Sequence, residues 1–249
     1  GPPHHPYRLV PEQYMDKYDP ETIEGRPNCP DVPREDLWGY YAQTTFLDDQ
    51  FQRLIDAIAE MGLDEDTIIV FSSDHGDMHG SQGVYKKQWP WNESIKVPFA
   101  IRYSGVISSG DRLDAPLSVI DIMPTILGLA GVPIPDTVEG VDLSPVLRGE
   151  SNNPPESVLI MNPCPFSIGD KRGFDQYPDY KGKRLEYRGV ITAQYTYVRT
   201  IDEAWLLYDN LEDPYQMQNL IDDEAHKSTC EHLESLMQDH MQAIGDEMM

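Results

Sequence analysis

The chain has 249 residues, 39% of them hydrophobic and 25% charged, which is globular composition with room for one large domain or two modest ones. Its formal net charge of −24, from 43 Asp and Glu against 19 Lys and Arg, argues against binding to a nucleic-acid backbone or to an anionic membrane. In so acidic a chain, a local cluster of cations becomes informative, because a few focused charges suffice to hold an anionic substrate.

Residues 1–35 are proline-rich with few periodic apolar positions, and predict an extended surface segment. The opening Gly1-Pro2-Pro3 reads as the interior of a longer chain or a cleavage scar. From residue 37 to 61, Leu37, Tyr40, Tyr41, Thr44, Leu47, Phe51, Leu54, Ile55 and Ile58 recur at helical spacing, and Gly62 follows as a C-cap. Thr67-Ile68-Ile69-Val70-Phe71 is an apolar, β-branched run that predicts a strand covered on both faces, as in a parallel sheet. The segment Ser72 to Gly76 then lies at the carboxyl end of that strand, where open α/β sheets place their ligands. A short strand is expected over 97–102 and a helix over 119–129, with Asp121 and Pro124 in its first turns and Gly131 beyond it.

Residues 149–156 form a polar, proline-bearing break, so the expected division is 1–150 and 151–249. Short strands are predicted over 157–161, 187–193, 195–200 and 205–208. The chain then ends, over 222–249, in an amphipathic helix carrying Leu233, Leu236, Met237, Met241 and Ile244. No apolar run approaches the ~20 residues of a membrane span. Cys29, Cys164 and Cys230 form no C-x-x-C pair and read as unpaired thiols.

Asp74-His75-Gly76-Asp77 is the densest chemical cluster. Asp74 offers hard oxygens to calcium or magnesium, and His75 is a ligand or a donor to a substrate oxygen; a loop carboxylate capping the next turn is the competing reading. A few residues on, Lys86 and Lys87 place two cations beside Trp89 and Trp91. A lysine is a point charge able to hold a tetrahedral anion, although exposed lysines in a turn have the same pattern. The indoles are candidate walls for a sugar ring. His4, among prolines on a stiff backbone, suits a donor aimed at a leaving group. Asp48-Asp49 falls within the periodic helix and reads as solvated face, and Asp222-Asp223 as a helix cap.

Together these segments resemble the sulfatase family of the alkaline-phosphatase-like superfamily. The stretch from Thr67 to Gly83 is similar to that family's second metal-binding motif, and Lys87 to Phe99 to its lysine segment and following strand. Ser118-Val119-Ile120-Asp121-Ile122-Met123-Pro124-Thr125 and Leu207-Tyr208-Asp209-Asn210-Leu211-Glu212-Asp213-Pro214 match two further landmarks in order. Two positions depart from the common pattern: His75 stands where many members carry Asn, and Gln82 where many carry His, with His79 close by.

The resemblance implies the later part of a sulfatase α/β domain over 1–150, followed by a smaller α+β domain of antiparallel sheet plus helix over 151–249. It implies hydrolysis of sulfate esters, with carbohydrate sulfates as candidate substrates, and a divalent cation, usually calcium. Asp74 and His75 would be metal ligands, Lys87 would contact the sulfate with Lys86 as its rival, and His4 would lie near the scissile oxygen. A periplasmic or secreted location is also implied. The family's formylglycine motif, Cys or Ser followed by x-Pro-x-Arg, is absent, since Cys29, Cys164 and Cys230 are followed by other residues. The chain therefore reads as a carboxy-terminal portion, inactive alone, whose partner is the amino-terminal half bearing the formylglycine. The rival readings are a phosphodiesterase or phosphonate hydrolase of the same superfamily, and a non-catalytic binding or assembly module.

Overall fold

The computed structural model describes residues 3–163 and 186–247, and the chain divides into two compact units, residues 1–105 and 106–249. Cys164 lies outside the described residues, and Cys29 and Cys230 are free thiols. Among the described residues, no helix is long and apolar enough to cross a membrane.

The first unit is organised by one long helix. Helix α1 (Glu12–Met15) is a single turn, and α2 (Arg34–Glu60) runs for 27 residues, about 40 Å at the α-helical rise. Tyr14 and Met15 of α1 pack on Ala42 of α2, with Val10, Tyr18, Trp38 and Phe46 around them. Gly39 and Gln43 are also buried, so α2 meets the proline-rich segment along its amino-terminal half. That segment covers only part of the predicted stripe. Leu37, Tyr40, Leu47, Phe51, Ile55 and Ile58 are half-buried, while Tyr41, Thr44 and Leu54 are exposed. The helix ends as expected: Gly62 sits at φ 69°, Leu63 N–H donates to Ile58 O and Gly62 N–H to Ala59 O, a left-handed cap that satisfies the last carbonyls.

Strand β1 (Ile69–Ser72) pairs antiparallel with β2 (Phe99–Arg102), from Ile69 opposite Arg102 to Ser72 opposite Phe99. The one-turn helix α3 (Asn92–Ile95) precedes β2. The expectation of a fully buried strand in a parallel sheet is corrected here. An apolar run states that both faces can be covered, but the hydrogen-bonding direction depends on which strand lies alongside, and that neighbour is β2. Within this unit the strand is half-buried, with Phe71 packed on Phe51 of α2 at 5.1 Å between ring centroids.

In the second unit, helix α4 (Val119–Leu129) starts where the sequence predicts. Asp121 accepts from the backbone N–H of Ser118 at 2.9 Å and of Val141 at 2.8 Å, so its burial is compensated. Arg148, just after the one-turn helix α5 (Ser144–Leu147), donates to the Gly128 and Leu129 carbonyls at the end of α4. The polar break at 149–156 lies within this unit, between α5 and the sheet.

Strands β3 (Ser157–Asn162), β4 (Tyr187–Thr192), β5 (Tyr195–Thr200) and β6 (Ala204–Asp209) form an antiparallel sheet in chain order. Helix α6 (Lys227–Ile244) closes it, burying Leu233 and Met237 against Val190, Tyr197 and Leu207. Leu236 and Met241 are partly buried, whereas Ile244, at the last position, is exposed. The Asp223 side chain caps the turn before α6 by accepting from Ala225 N–H at 3.0 Å.

Candidate active site

Asp74 lies two residues beyond the end of β1 and is 86% exposed on its side chain, the position expected for a carboxylate at a strand end. Its Oδ1 accepts from the His75 N–H at 3.1 Å. The charge that His75 carries when protonated, aided by hydrogen bonds, holds the Asp74 carboxyl below its ordinary value. His75 Nδ1 lies 2.8 Å from the Gly76 carbonyl. A carbonyl can only accept, so Nδ1 donates to it; Nε2, 3.6 Å from Asp74 Oδ2, presents a lone pair when the ring is neutral and a second N–H when it is charged. Two oxygen or nitrogen donors set about 2.3–2.6 Å from one cation, near a right angle, stand roughly 3.3–3.7 Å apart. The pair therefore fits two neighbouring positions around a divalent cation. Among the described residues, no group of three or more His, Cys, Asp or Glu gathers to complete such a sphere.

Gly76 is required at this turn. A Cβ there would stand 2.0 Å from the Glu93 carbonyl oxygen, and Gly76 N–H donates to Ser94 O at 2.8 Å. The loop is thus seated on α3. The Glu93 carboxylate beneath it accepts from Asn28 Nδ2 at 2.9 Å and from Arg26 at 3.3 Å.

The lysine loop is held from the same side. Met78 N–H donates to Lys86 O at 2.8 Å, and Gly80 N–H to Val84 O at 3.0 Å. Lys86 is exposed and Lys87 half-buried. Lys86 and Gln88 both have left-handed backbones, φ 67° and 75°, so the chain turns sharply around Lys87. Trp89 and Trp91 are 1% and 2% exposed and pack on each other at 5.6 Å. They form the floor of this loop and present no face to a sugar, a correction to the expectation that they wall a substrate cleft. Indoles of this size are worth most when buried, and Trp89 Nε1 finds the Tyr85 carbonyl at 3.1 Å.

His4 is exposed on the proline-rich segment, with its backbone clamped to α2. Its N–H donates to Gln43 Oε1 at 2.8 Å, and Gln43 Nε2 donates to Pro6 O at 3.2 Å. Gly39 gives this segment its close approach, because a Cβ there would lie 2.7 Å from the Tyr7 backbone. Tyr7 then ties the segment to the Asp74–Asp77 loop by donating to Asp77 Oδ2 at 2.8 Å. Burial, then this hydrogen bond, pushes the Tyr7 phenol well above its ordinary pKa. Asp77 Oδ1 in turn accepts from His79 N–H at 3.1 Å, and the His79 ring packs between Tyr7 at 5.1 Å and Tyr40 at 4.6 Å. Burial lowers the His79 pKa, against the pull of Asp77 and Asp36.

The first unit therefore brings the His4 segment, the Asp74–His75 pair and the Lys86–Lys87 loop onto one hydrogen-bonded framework. Tyr7, Gln43 and Asp77 hold that framework, and sequence reasoning assigned them no role. The only legible signal was that Asp77 lies inside the quoted motif.

The sulfatase family profile matches residues 2–132. The chain belongs to the sulfatase family. It is 38% identical over 252 residues to the ulvan-active sulfatase of Formosa agariphila, covering 98% of this chain and 47% of that protein. It is 33% identical to the endo-4-O-sulfatase of Bacteroides thetaiotaomicron, covering 99% of this chain and 51% of that one. A structure solved in work on glycosaminoglycan metabolism by Bacteroides thetaiotaomicron superposes with a TM-score of 0.85 at 31% identity, over 99% of this chain and 53% of that one. The phosphonate monoester hydrolase of Agrobacterium radiobacter, 23% identical with a TM-score of 0.78 over 97% of this chain and 55% of that one, shares the fold. The chain spans about half the length of the curated relatives it matches. As expected, it carries the later part of an alkaline-phosphatase-like fold with antiparallel sheet and helix at its end.

Proposed function

We propose that this chain supplies the leaving-group histidine, the sulfate-binding lysine and two metal ligands of a hydrolase of sulfated carbohydrates. The observation carrying this reading is the convergence in one unit of the His4 segment, the Asp74–His75 pair at 3.6 Å and the lysine loop, joined through Tyr7–Asp77 and Met78–Lys86. In this reading Asp74 and His75 Nε2 hold a divalent cation, calcium by family habit, which would neutralise charge on the sulfate ester. Lys87 takes a sulfate oxygen and stabilises the charge that develops on it. His4, steadied by Gln43, offers a proton to the departing sugar oxygen. The nucleophile, a formylglycine, and the remaining cation ligands belong to an amino-terminal half that makes up the rest of the relatives' length. The names of the curated relatives, one acting on ulvan and one an endo-4-O-sulfatase, favour a polysaccharide sulfate as substrate.

The test is steady-state hydrolysis of an aryl sulfate and a sulfated oligosaccharide, with a phosphonate monoester beside them. The 249-residue chain is expected to show no turnover, and the chain joined to its amino-terminal half to cleave the sulfates. Lys87→Ala in the joined protein should lower kcat/KM by roughly a hundredfold or more, the scale of losing one transition-state charge contact. Turnover by the chain alone that disappears in Lys87→Ala would overturn the division of the site between two halves. Preference for the phosphonate would move the activity to the neighbouring reaction class.

A further inference from the structure

Residues 3–7 include Pro3 and Pro6, neither of which has a backbone N–H to donate. A stretch so short of donors cannot hold itself in a helix or a sheet ladder, so its place is set by other elements. Helix α2 sets it from two positions one turn apart on the same face, Gly39 and Gln43, both buried. Gly39 lets the Tyr7 backbone close in, and Gln43 clamps the turn ahead of it.

The Gln43 amide is used at both ends. Its Oε1 accepts from His4 N–H at 2.8 Å and its Nε2 donates to Pro6 O at 3.2 Å, so one side chain, 3% exposed, brackets the turn from His4 to Pro6. Beyond the bracket, Tyr7 is tied to Asp77. The His4 ring is itself oriented. Its Nδ1 lies 2.8 Å from the His5 carbonyl, which can only accept, and the two imidazoles stack at 4.1 Å. Nδ1 therefore donates to that carbonyl, and Nε2 is the nitrogen left to pass a proton to another molecule. A leucine at position 43 would fill similar space but make neither bond, and a glutamate would accept from His4 without donating to Pro6. A buried amide is costly unless both ends are paired, and here both pairs fall on the segment that carries His4.

We propose that Gln43 is a positioning residue for proton transfer, holding the His4 turn so that Nε2 meets the departing oxygen of the ester. As the S–O bond breaks, its electron pair stays on that oxygen and the His4 Nε2 proton moves onto it, leaving the ring neutral with Nδ1 still donating to His5. A sugar alcohol needs that proton to leave, whereas an acidic nitrophenol leaves as its anion. Gln43 therefore sets how far the enzyme favours alcohol sulfates over activated aryl sulfates. The proton transfer rests on the sulfatase reading, whereas the clamp on His4 does not.

Two measurements test the two parts. In the chain joined to its amino-terminal half, kcat/KM is compared for a sugar sulfate and nitrophenyl sulfate. Gln43→Leu should shift their ratio at least about tenfold towards the nitrophenyl ester, the scale of a displaced acid catalyst. Gly39→Ala, which favours the helix but crowds the Tyr7 backbone, should shift the ratio the same way. Neither change should add to the loss already present in His4→Ala, because both act through that ring. Equal losses on the two esters, or a loss added on top of His4→Ala, overturns the proposal. The second measurement reads the clamp without reaction, from the imidazole nitrogen shifts of His4 in the 249-residue chain at a pH where the ring is neutral. The native chain should show Nδ1 protonated, and Gln43→Leu a mixture of the two tautomers, with matched melting curves excluding unfolding. The same tautomer pattern in both overturns the proposal. A joined protein that cleaves no sulfate but shows the tautomer change loses the sulfatase reading and keeps the clamp.

Discussion

In the second unit, Val190, Leu207, Leu233 and Met237 are sealed between a four-stranded sheet and α6. In the first, Leu54, Met61 and Leu63 stand exposed at the end of α2, and the two strands of its sheet are only half-buried. The second unit closes its own core with local partners, a meander whose strands pair in chain order. The first spends its buried contacts on three polar loops, held by backbone hydrogen bonds and by left-handed turns at His79, Gln82, Lys86 and Gln88. The densest packing and the proposed site thus lie in different parts of the chain, and drawing candidate site loops from the less densely packed region accords with the general need for functional segments to be locally less stable.

The contrast is sharpest in core substitutions. Leu207→Ala should lower the unfolding free energy of the second unit by about 2–5 kcal/mol, the cost of a buried cavity, while Leu54→Ala should stay within about 0.5 kcal/mol in the 249-residue chain. Urea titration followed by circular dichroism reads both. If Leu54→Ala proved as costly as Leu207→Ala, the exposed end of α2 would have to be covered in solution.

Metal binding probes the other side of the comparison. The 249-residue chain should bind calcium weakly, because Asp74 and His75 are two donors where calcium takes 6–8. The amino-terminal half should tighten binding, and Asp74→Ala should then cost at least about tenfold in affinity, or ~1.4 kcal/mol. His75→Ala should cost less, since oxygen is the preferred donor for calcium. Tight calorimetric binding by the lone chain, unaffected by Asp74→Ala, would remove the metal from this loop.

The smallest effect is a pH dependence confined to the second unit. Hydrogen bonds from the buried Arg188 hold the Asp246 carboxyl below its ordinary pKa, one of them from Nη2 at 3.2 Å. A depressed folded pKa means that the unfolded chain takes up the proton first. The contribution is therefore complete above about pH 4, the ordinary aspartate value, and is lost as pH falls through the lower folded one. Melting curves between pH 5 and pH 2 should fall more steeply for the native chain than for Asp246→Asn. Parallel slopes would remove the Arg188–Asp246 pair from the acid response.

Much of this was legible because the signals are local. Helix α4 was readable from Asp121, Pro124 and Gly131, the end of α2 from Gly62, and the sheet of the second unit from four short apolar runs separated by turns. The order of the Asp74–His75 motif and the lysine segment points to the sulfatase family from residue type and spacing alone. What was not legible concerned partners distant in sequence. Nothing in the spacing links Tyr7 to Asp77, 70 residues away, or Gln43 to His4, 39 residues away. Likewise, the apolar pattern of β1 carries no record of whether its neighbour runs parallel or antiparallel.

The sequence by itself thus determined the family, the strand-end carboxylate, the adjacent lysines and the elements of the terminal domain, since each depends on residue type and short-range spacing. Only the tertiary structure decided that Trp89 and Trp91 are buried supports, that Lys86 lines a cavity which Lys87 does not, and that the His4 segment is tied to the Asp74–Asp77 loop. Those outcomes depend on which surfaces exclude water together and on where a backbone turns left-handed. Both are set by contacts across the fold, which no residue announces alone.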